Sequence, residues 1–377
     1  MMQTRLAWQN LSHHKMRLVA VTIGITFVVT LIFAQIGMQA AVLNAAVLVF
    51  NRLNFDIVLL SPQYIYIRSA DTVPRHRLYQ ASTIEGVQQA MPLYVSLVQW
   101  KNSQTGELGY MQMLGYNPHD PVFQLPELDT QRETLHQPNV VLMDRRSRPS
   151  VGPKAIGVST EVQQHKIRIG GHFTLGSGFT GWGTLIVSDV NFSRIRNGFP
   201  LNRVSLGLIT VAPGADPARV AQHLKHVLPP DVQVLTRAEM KAYETSYWRD
   251  KTPSGIVLSA GVLMACLVGM VVIYQVLATD ISHRLSEYAT LKALGYKDGY
   301  ISSIVLQQAL ILAIMGFIPG LAFSFGIYEI LARQTHFMMD MPPLRMIAVM
   351  AMSTGISTLS GLLALRKLKK SDPAQLF

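Results

Sequence analysis

The stretch that decides the fold is residues 280–300, which read DISHRLSEYATLKALGYKDGY. It is a polar segment between two runs without any Asp, Glu, Lys or Arg, residues 252–279 and residues 299–328. About 20 apolar residues are enough to cross a membrane as an α-helix, so each run predicts a membrane helix. The pattern therefore predicts that residues 280–298 form a short loop that joins two membrane helices.

Apolar residues recur at helical spacing inside this loop, at Ile281, Leu285, Tyr288 and Leu291. Gly295 then provides a residue type that commonly ends a helix. The spacing predicts a short amphipathic helix at the membrane surface. From periodicity alone, an ordinary polar loop with a single helical turn remains the alternative.

Two further uncharged runs, residues 18–51 and 346–365, raise the number of predicted spans to four. Charged residues make up 15% of the chain, against about 25% in soluble domains. The 200 residues between the first and second spans, 52–251, carry most of the charge. The predicted fold class is a membrane α-helical protein with four transmembrane helices and a large extracytoplasmic α+β domain inserted between the first two.

The orientation follows from Lys and Arg next to the spans, which favour the cytoplasmic side. The segments before the first span and after the last each carry a net charge of +3. Both termini are therefore predicted in the cytoplasm, and the inserted domain in the periplasm. Six of the 11 net positive charges are explained in this way, so no nucleic-acid partner is expected. The single cysteine, Cys266, lies in the second span and predicts no disulfide.

The first part of the insert predicts strands and one helix. Alternating or apolar stretches predict strands at residues 55–60 and 64–67 and a hairpin of residues 93–100 and 108–116. Ser82 and Glu85 predict the start of a helix that Pro92 ends.

The rest of the insert predicts a β-rich subdomain, residues 117–200, followed by a βαβ unit. The β-rich part has candidate strands at residues 140–143, 166–169, 172–175 and 184–187. In the βαβ unit, Asp216 and Pro217 start a helix between strands at residues 204–211 and 232–235. Stalk helices are predicted at residues 39–51 and 238–249, the second opened by the capping box Thr236-x-x-Glu239.

Motifs for catalysis are not found in the sequence. No G-x-x-x-x-G-K-(S/T), H-E-x-x-H, C-x-x-C or G-x-S-x-G occurs, so the chain is not expected to be an enzyme or its own ATP motor. Gly176, Gly178 and Gly181 match G-x-G-x-x-G, but a strand rather than a helix is predicted next, which favours a glycine-rich hairpin. The two histidines at 165 and 172 lack further ligands at metal-binding spacing, and no metal is expected.

Residues 284–295, RLSEYATLKALG, resemble the signature of FtsX-like permeases, the membrane subunits of MacB-type ABC transporters. The N-terminal order A-x-x-N-L…K-x-R and the tail LRKLKKSDPAQLF are also similar to that family. The resemblance implies that this segment docks on a separate ABC ATPase, which would hold the ATP and Mg, with no cofactor on this chain. The implied ATPase-coupling residues are Arg284, Glu287, Tyr288, Ala289, Leu291, Lys292, Ala293, Leu294 and Gly295.

Within the family, the stretches FDIVLLSP, RLYQAS, MPLYVSLVQWKN, VVLMDRRSRP and GTLIVSDVNF look most like the DevC-type permeases of cyanobacteria. This resemblance implies a homodimer in the inner membrane that works with a periplasmic membrane-fusion adaptor and a TolC-like outer-membrane channel. The implied substrate is a glycolipid, another lipid or a different hydrophobic molecule. The alternative is an FtsX-like mechanotransmission protein that regulates a cell-wall hydrolase.

These expectations divide the chain into segments from the N-terminus to the C-terminus. They are an interfacial helix 1–17, first span and stalk 18–51, periplasmic α+β subdomain 52–116 and 201–235, inserted β-rich subdomain 117–200, stalk and second span 236–279, coupling segment 280–298, third span 299–328, periplasmic loop 329–345, fourth span 346–365 and cytoplasmic tail 366–377.

Overall fold

The computed structural model describes residues 15–176, 178, 181–283 and 298–370. These residues divide into two compact units. Among the described residues, the helical unit consists of 15–41, 253–283, 298–335 and 339–370, and the large domain consists of 42–176, 178, 181–252 and 336–338. All the predicted ATPase-coupling residues, 284–295, lie outside the described residues, as do 1–14 and 371–377.

The α-helices of the described residues are, in chain order, α1 Lys15–Ala46, α2 Leu48–Arg52, α3 His76–Ser82, α4 Pro126–Asp129, α5 Arg132–His136, α6 Asp189–Ile195, α7 Pro217–Val227, α8 Arg237–Ser246, α9 Pro253–His283, α10 Asp298–Thr335 and α11 Pro343–Lys370. The strands are β1 Ile57–Leu60, β2 Val73–Pro74, β3 Val87–Lys101, β4 Leu108–Tyr116, β5 Val140–Asp144, β6 Ser159–Val162, β7 His165–Phe173, β8 Thr184–Ser188, β9 Arg203–Val204, β10 Leu206–Val211 and β11 Gln233–Thr236.

Four helices of the described residues are long and apolar enough to cross a membrane, α1, α9, α10 and α11. Their candidate spans are Leu18–Ala46, Pro253–Thr279, Ser302–Thr335 and Pro343–Ala364. Two of these helices begin at a proline, which suits the first helical position because no N–H is needed there. The predicted fold class is confirmed: four apolar helices, with a large α/β domain between the first and second.

The large domain is built on one sheet of nine strands, ordered β11-β1-β10-β3-β4-β8-β5-β7-β6. Strand β6 also pairs with β3, at Trp100–Val162 and Lys101–Glu161. This pairing closes β3, β4, β8, β5, β7 and β6 into a six-stranded barrel, and β11, β1 and β10 extend from it as an open layer. Strands from both predicted subdomains therefore belong to the same sheet. The predicted boundaries at residues 117 and 200 stay predictions.

The 15-residue strand β3 connects the barrel with the open layer. Its first half pairs with β10, up to Leu93–Leu206, and its second half pairs with β4, from Tyr94–Gly115 onward. Ser205 separates β9 from β10, and its hydroxyl accepts a hydrogen bond from the Val95 amide at 2.9 Å. The predicted hairpin of β3 and β4 is confirmed, and the single strand predicted at residues 204–211 is two strands.

The predicted βαβ unit is confirmed as β10, α7 and β11. Its two strands are not direct neighbours, because β1 lies between them in the sheet. Strands β10 and β11 both run antiparallel to β1, which lies between them. Helix α7 makes the connection, and the Asp216 carboxylate caps it by accepting from the Ala218 amide at 3.0 Å.

Two buried apolar clusters lie on the two faces of the sheet. One fills the barrel with side chains such as Trp100, Met111 and Met143 and continues under α3 and α7. The other lies on the opposite face and includes Phe50 of α2 and Met240 of α8. Both helices next to the membrane spans in the sequence therefore contribute to the core of the large domain.

Three secondary-structure expectations are wrong. Ser82 ends helix α3 instead of starting a helix, because Gly86, at φ +89°, turns the chain directly into β3. Pro92 consequently lies inside β3, beside the position where that strand changes partners. Residues 64–67 form no strand; after Ser61 and Pro62 the chain turns into the 3₁₀-helix Ile67–Ser69.

The glycine-rich connection is also not a hairpin. Strand β5 lies between β7 and β8, so these two strands are not neighbours in the sheet as the strands of a hairpin would be. The two strands predicted at residues 166–169 and 172–175 are the single strand β7, in which the register against β5 shifts past Gly170. Such a bulge lets one strand accommodate an extra residue.

Candidate functional site

The predicted coupling segment joins the end of α9, at His283, to the start of α10, at Asp298. Its coupling residues stay predictions because they lie outside the described residues. The helices on both sides of it are described, and their packing determines what would move if the segment were pushed. The candidate site has two separate parts, namely those helices and the part of the large domain that adjoins them in the chain.

Helix α10 packs against α1 through two glycines, Gly316 and Gly320. A side chain at Gly316 would collide with Ile25, and one at Gly320 would collide with Val29. The hydroxyl groups of Thr26 and Thr30 lie 3.4 Å and 3.3 Å from the carbonyl oxygens of the two glycines. Small residues allow such close approach between helices in a membrane.

Helix α9 also packs against α1. Gly261 leaves room for Gln35, and Gly269 leaves room for Val28. The Gln39 side-chain amide donates a hydrogen bond of 2.8 Å to the Ser259 hydroxyl. Helix α1 is thus held by both helices that flank the coupling segment.

Two further hydrogen bonds fix the bundle. The Tyr328 hydroxyl of α10 donates to the Phe33 carbonyl of α1 at 2.8 Å. The Ser360 hydroxyl of α11 donates to the Met270 carbonyl of α9 at 3.1 Å. A displacement of α9 or α10 would therefore be passed to α1 through specific contacts instead of being lost in loose packing.

Helix α8 leads toward α9 and starts with the predicted capping box, which is confirmed. The Thr236 hydroxyl accepts from the Glu239 amide at 3.3 Å, and the Glu239 carboxylate accepts from the Thr236 amide at 2.7 Å. The following residue, Arg237, donates to the carbonyl oxygen of Phe50 in α2 at 3.2 Å. The two predicted stalk regions are therefore in contact, although the first of them is interrupted at Val47.

A buried polar cluster lies near the end of α8. We call it the Glu244 cluster and define it as Tyr64, Ile67, Glu244 and Trp248. The carboxylate of Glu244 is fully buried. It accepts hydrogen bonds from the Tyr64 hydroxyl and, at 2.9 Å, from the Ile67 amide. Burial raises the pKa of Glu244 to about 7, and the hydrogen bonds from Tyr64, Ile67 and Trp248 act in the opposite direction.

Aromatic rings extend this cluster to the turn before α9. The ring of Tyr66 stacks on that of Tyr247, with centroids 5.1 Å apart, and meets Trp248 edge-on at 5.6 Å. Tyr247 begins the π-helical turn Tyr247–Lys251, and the Thr252 hydroxyl donates to the Trp248 carbonyl at 2.6 Å. The turn is thus held against the segment that follows β1. Such an arrangement can transmit force.

The sequence did not identify the Glu244 cluster as functional. Glu244 lies on a helix at a position where a solvated acid would be ordinary, and Tyr64 is 180 residues away. Residues 243–248, YETSYW, contain three aromatic residues close to one acidic residue. This composition could have drawn attention to the cluster.

The candidate metal ligands are not brought together. The His165 imidazole contacts the Asn197 side chain at 2.8 Å, and the His172 imidazole contacts the Lys154 carbonyl at 2.6 Å. In the part of the chain that the structure describes, no group of three or more His, Cys, Asp or Glu could hold a metal ion. After Gly181 the chain enters strand β8, so no helix follows the G-x-G-x-x-G pattern.

A family model described as the FtsX-like permease C-terminal matches residues 259–373. This stretch contains most of α9, all of α10 and α11, and the predicted coupling segment between them. Residues 259–373 are therefore similar to this family, and the match covers less than half of the chain. No curated protein matches the sequence.

Three solved structures are similar to about half of this chain, with low sequence identity. The periplasmic region of MacB from Actinobacillus actinomycetemcomitans has 9% identity and a TM-score of 0.38, over 51% of this chain and 92% of that one. The extracellular domain of the noncanonic ABC-type transporter YknZ from Gram-positive bacteria has 14% identity and a TM-score of 0.33, over 48% and 100%. A domain of a permease protein from Porphyromonas gingivalis has 13% identity and a TM-score of 0.29, over 48% and 86%.

Proposed function

We propose that this chain is the permease subunit of a tripartite ABC exporter of the MacB type, and that a separate ATPase drives it. The observation that carries the proposal is the FtsX-like permease C-terminal domain at residues 259–373, which includes the signature RLSEYATLKALG. The four apolar helices around a large inserted domain support the same function.

The coupling segment is the point at which the ATPase acts in this proposal. Arg284, Glu287 and Lys292 contact the partner by charge at the rim of the interface, and Tyr288 and Leu291 become buried at its centre. Closure of an ATPase dimer pushes this segment and thereby α9 and α10. Their close contacts with α1 at Gly269, Gly316 and Gly320 support transmission to the helix that enters the large domain.

The large domain is the moving part on the other side of the membrane. Its core includes α2 and α8, the elements nearest to the first and second spans in the sequence. Both termini and the coupling segment lie in the cytoplasm, and the large domain lies in the periplasm, as the net charge of +3 at each end of the chain favours. ATP hydrolysis belongs to the partner, and this chain is not catalytic.

The remaining parts of the proposal concern assembly and substrate. Two copies of this chain form the membrane subunit, and the large domains contact a periplasmic membrane-fusion adaptor and a TolC-like channel. The stretches similar to DevC-type permeases support export of a glycolipid or another hydrophobic molecule. In the described residues, no Asp, Glu, Lys or Arg lies between residues 253 and 279, which does not favour an ion-driven carrier.

The coupling role is tested by the single substitutions Glu287→Ala and Leu291→Ala, assayed with the ATPase in reconstituted membranes. Loss of the buried contact at Leu291 is expected to lower stimulated ATPase activity about tenfold or more, and loss of the rim charge at Glu287 is expected to lower it less. Lys297→Ala, in the same segment but outside the signature, and Leu344→Ala, 76% exposed at the start of α11, serve as controls. Undiminished stimulation in both test variants would disprove the coupling assignment.

The partner on the outer side is tested by co-purification from native membranes. Recovery of an adaptor and a channel supports the exporter. Recovery of a cell-wall hydrolase in their place would show that the chain is an FtsX-like regulator that uses the same coupling segment.

A further inference from the structure

The short connection between α10 and α11 contains three residues that belong to the large domain. Residues 336–338 are part of that compact unit, whereas the chain before and after them belongs to the helical unit. His336 turns the chain at the end of α10 with a φ of +62°. The large domain therefore holds a piece of chain that is covalently continuous with the third and fourth candidate spans.

Met338 is the residue that makes the contact. Its sulfur lies 2.8 Å from Nη1 of Arg146, which follows strand β5. Its methyl group occupies the space where a side chain at Gly176 would begin. Leu48 of α2 approaches the same position, with its methyl carbon 3.4 Å from where that Cβ would lie. We refer to Arg146, Gly176 and Leu48 as the Met338 seat.

The seat is held in shape by Asp144, a fully buried carboxylate at the end of β5. Its Oδ1 accepts from the amides of Arg146 at 3.0 Å and Leu175 at 3.2 Å, and its Oδ2 accepts from the Gly176 amide at 2.9 Å. One carboxylate thus fixes both loops that touch Met338. Charge-assisted hydrogen bonds of this kind are among the stronger ones in proteins.

Gly176 cannot be replaced without disturbing the seat. Its φ of +117° favours glycine, and any side chain would displace the methyl group of Met338. The glycine that the sequence pattern offered as part of a nucleotide motif therefore has a packing role.

We propose that the Met338 seat is a mechanical connection through which α10 and α11 move the large domain, in addition to the chain connections at α1 and α9. This proposal rests on the proposed transport function. In it, α10 and α11 pull on the loops after β5 and β7 through Met338, on the barrel side of the domain. The chain connections at α1 and α9 act through α2 and α8, and Leu48 of α2 also contributes to the seat.

The first test is a cross-link between Arg146→Cys and Met338→Cys in a chain whose native thiol is removed by Cys266→Ala. A short bis-maleimide is expected to join the two cysteines in the full-length protein in nanodiscs, and to join neither single-cysteine variant. The double-cysteine variant lacks the contact between Arg146 and Met338, so it is expected to retain the ATPase partner but to transport poorly until the cross-link restores the connection. Failure of the cross-link to form, or transport that the cross-link does not raise, overturns the proposal.

The second test removes the contact without a cross-link. Met338→Ala is expected to lower transport about fivefold, the effect of losing about 1 kcal/mol of coupling. It should also speed hydrogen exchange at the Leu175 and Gly176 amides. Leu344→Ala, which alters an exposed residue at the start of α11, is the control and should change neither transport nor hydrogen exchange.

The two proposals fail in different ways. If the uncross-linked protein engages no ATPase, the transport function and this connection are both rejected, even when the cysteines cross-link. If ATPase stimulation is intact and Met338→Ala changes neither transport nor hydrogen exchange, only the connection through Met338 is rejected.

Discussion

The Tyr64 hydroxyl donates a hydrogen bond to Oε1 of Glu244, 180 residues later in the chain. The same oxygen accepts from the Ile67 amide, so one buried carboxylate joins the segment after β1 to helix α8. Because α8 leads through the turn Tyr247–Lys251 to α9, this bond lies where the large domain meets the second span in the sequence. Because burial raises the pKa of this carboxyl group to about 7, the stability of the large domain is expected to depend on pH.

Glu244→Gln should remove that pH sensitivity. The pKa of Glu244 is raised from 4.5 to about 7. Between these two pH values the folded protein therefore keeps a proton on Glu244 that the unfolded chain has released. Stability is therefore lost as pH rises from about 4.5 to 7, by about 3 kcal/mol in total. The variant stays neutral and should not show this loss.

The measurement is the thermal unfolding of the full chain in nanodiscs at several pH values, compared as wild type minus variant. Relative to wild type, Glu244→Gln should gain stability between about pH 4.5 and pH 7 and show no further gain above that range. Glu161→Gln, which removes an exposed partner of Lys101, is the control and should show no such trend. A difference between wild type and Glu244→Gln that is the same at all pH values would contradict the titration of Glu244 in this range.

Gly316→Ala should weaken the helical unit. The new methyl group would collide with Ile25 of α1, and overpacking of this kind costs about 1–3 kcal/mol. Gly326→Ala, on the same helix with open space at that position, should be neutral or stabilising because alanine favours helix. Thermal unfolding of both variants in the same detergent compares them directly, and equal stability would show that α1 and α10 do not pack as described.

Thr236→Ala should loosen the start of α8. The substitution removes one half of the capping box, which costs about 1 kcal/mol. Hydrogen exchange at the Glu239 amide, which loses its acceptor, should become about five times faster. Thr245→Ala, within the same helix and outside the cap, is the control; a similar effect there would mean that the cap is not responsible.

Gln308→Leu should stabilise the helical unit. Gln308 is 1% exposed, and among the described residues both polar atoms of its side chain lack a hydrogen-bond partner. Removing such a group relieves about 1–3 kcal/mol of desolvation penalty. Gln39→Leu is the matched comparison and should destabilise, because it breaks the hydrogen bond to Ser259. The prediction is wrong if both variants shift the melting temperature in the same direction.

Much of the fold could be predicted from the sequence because its signals are local. The four uncharged runs became four helices, since a span needs only length and apolar composition. The caps at Asp216 and Thr236 and the β3–β4 hairpin depend on residues close together in the chain. The expectations that failed, at Ser82, at residues 64–67 and at the glycine-rich connection, required knowledge of which strands lie side by side.

The candidate site divides in the same way. The signature in residues 284–295 can be found in the sequence alone because it is contiguous. The pairs Tyr64–Glu244 and Arg146–Met338 are separated by 180 and 192 residues, and no local pattern predicts either pair.

The amino-acid sequence by itself determined the apolar spans, their order around a large insert and the FtsX-like segment. Each of these depends on the composition or the order of residues along a continuous stretch of the chain. Only the tertiary structure decided that β6 closes a barrel on β3, that Glu244 is buried against Tyr64, and that the large domain holds Met338. The physical reason is that burial and pairing are properties of neighbours in space, and these neighbours come from distant parts of the chain.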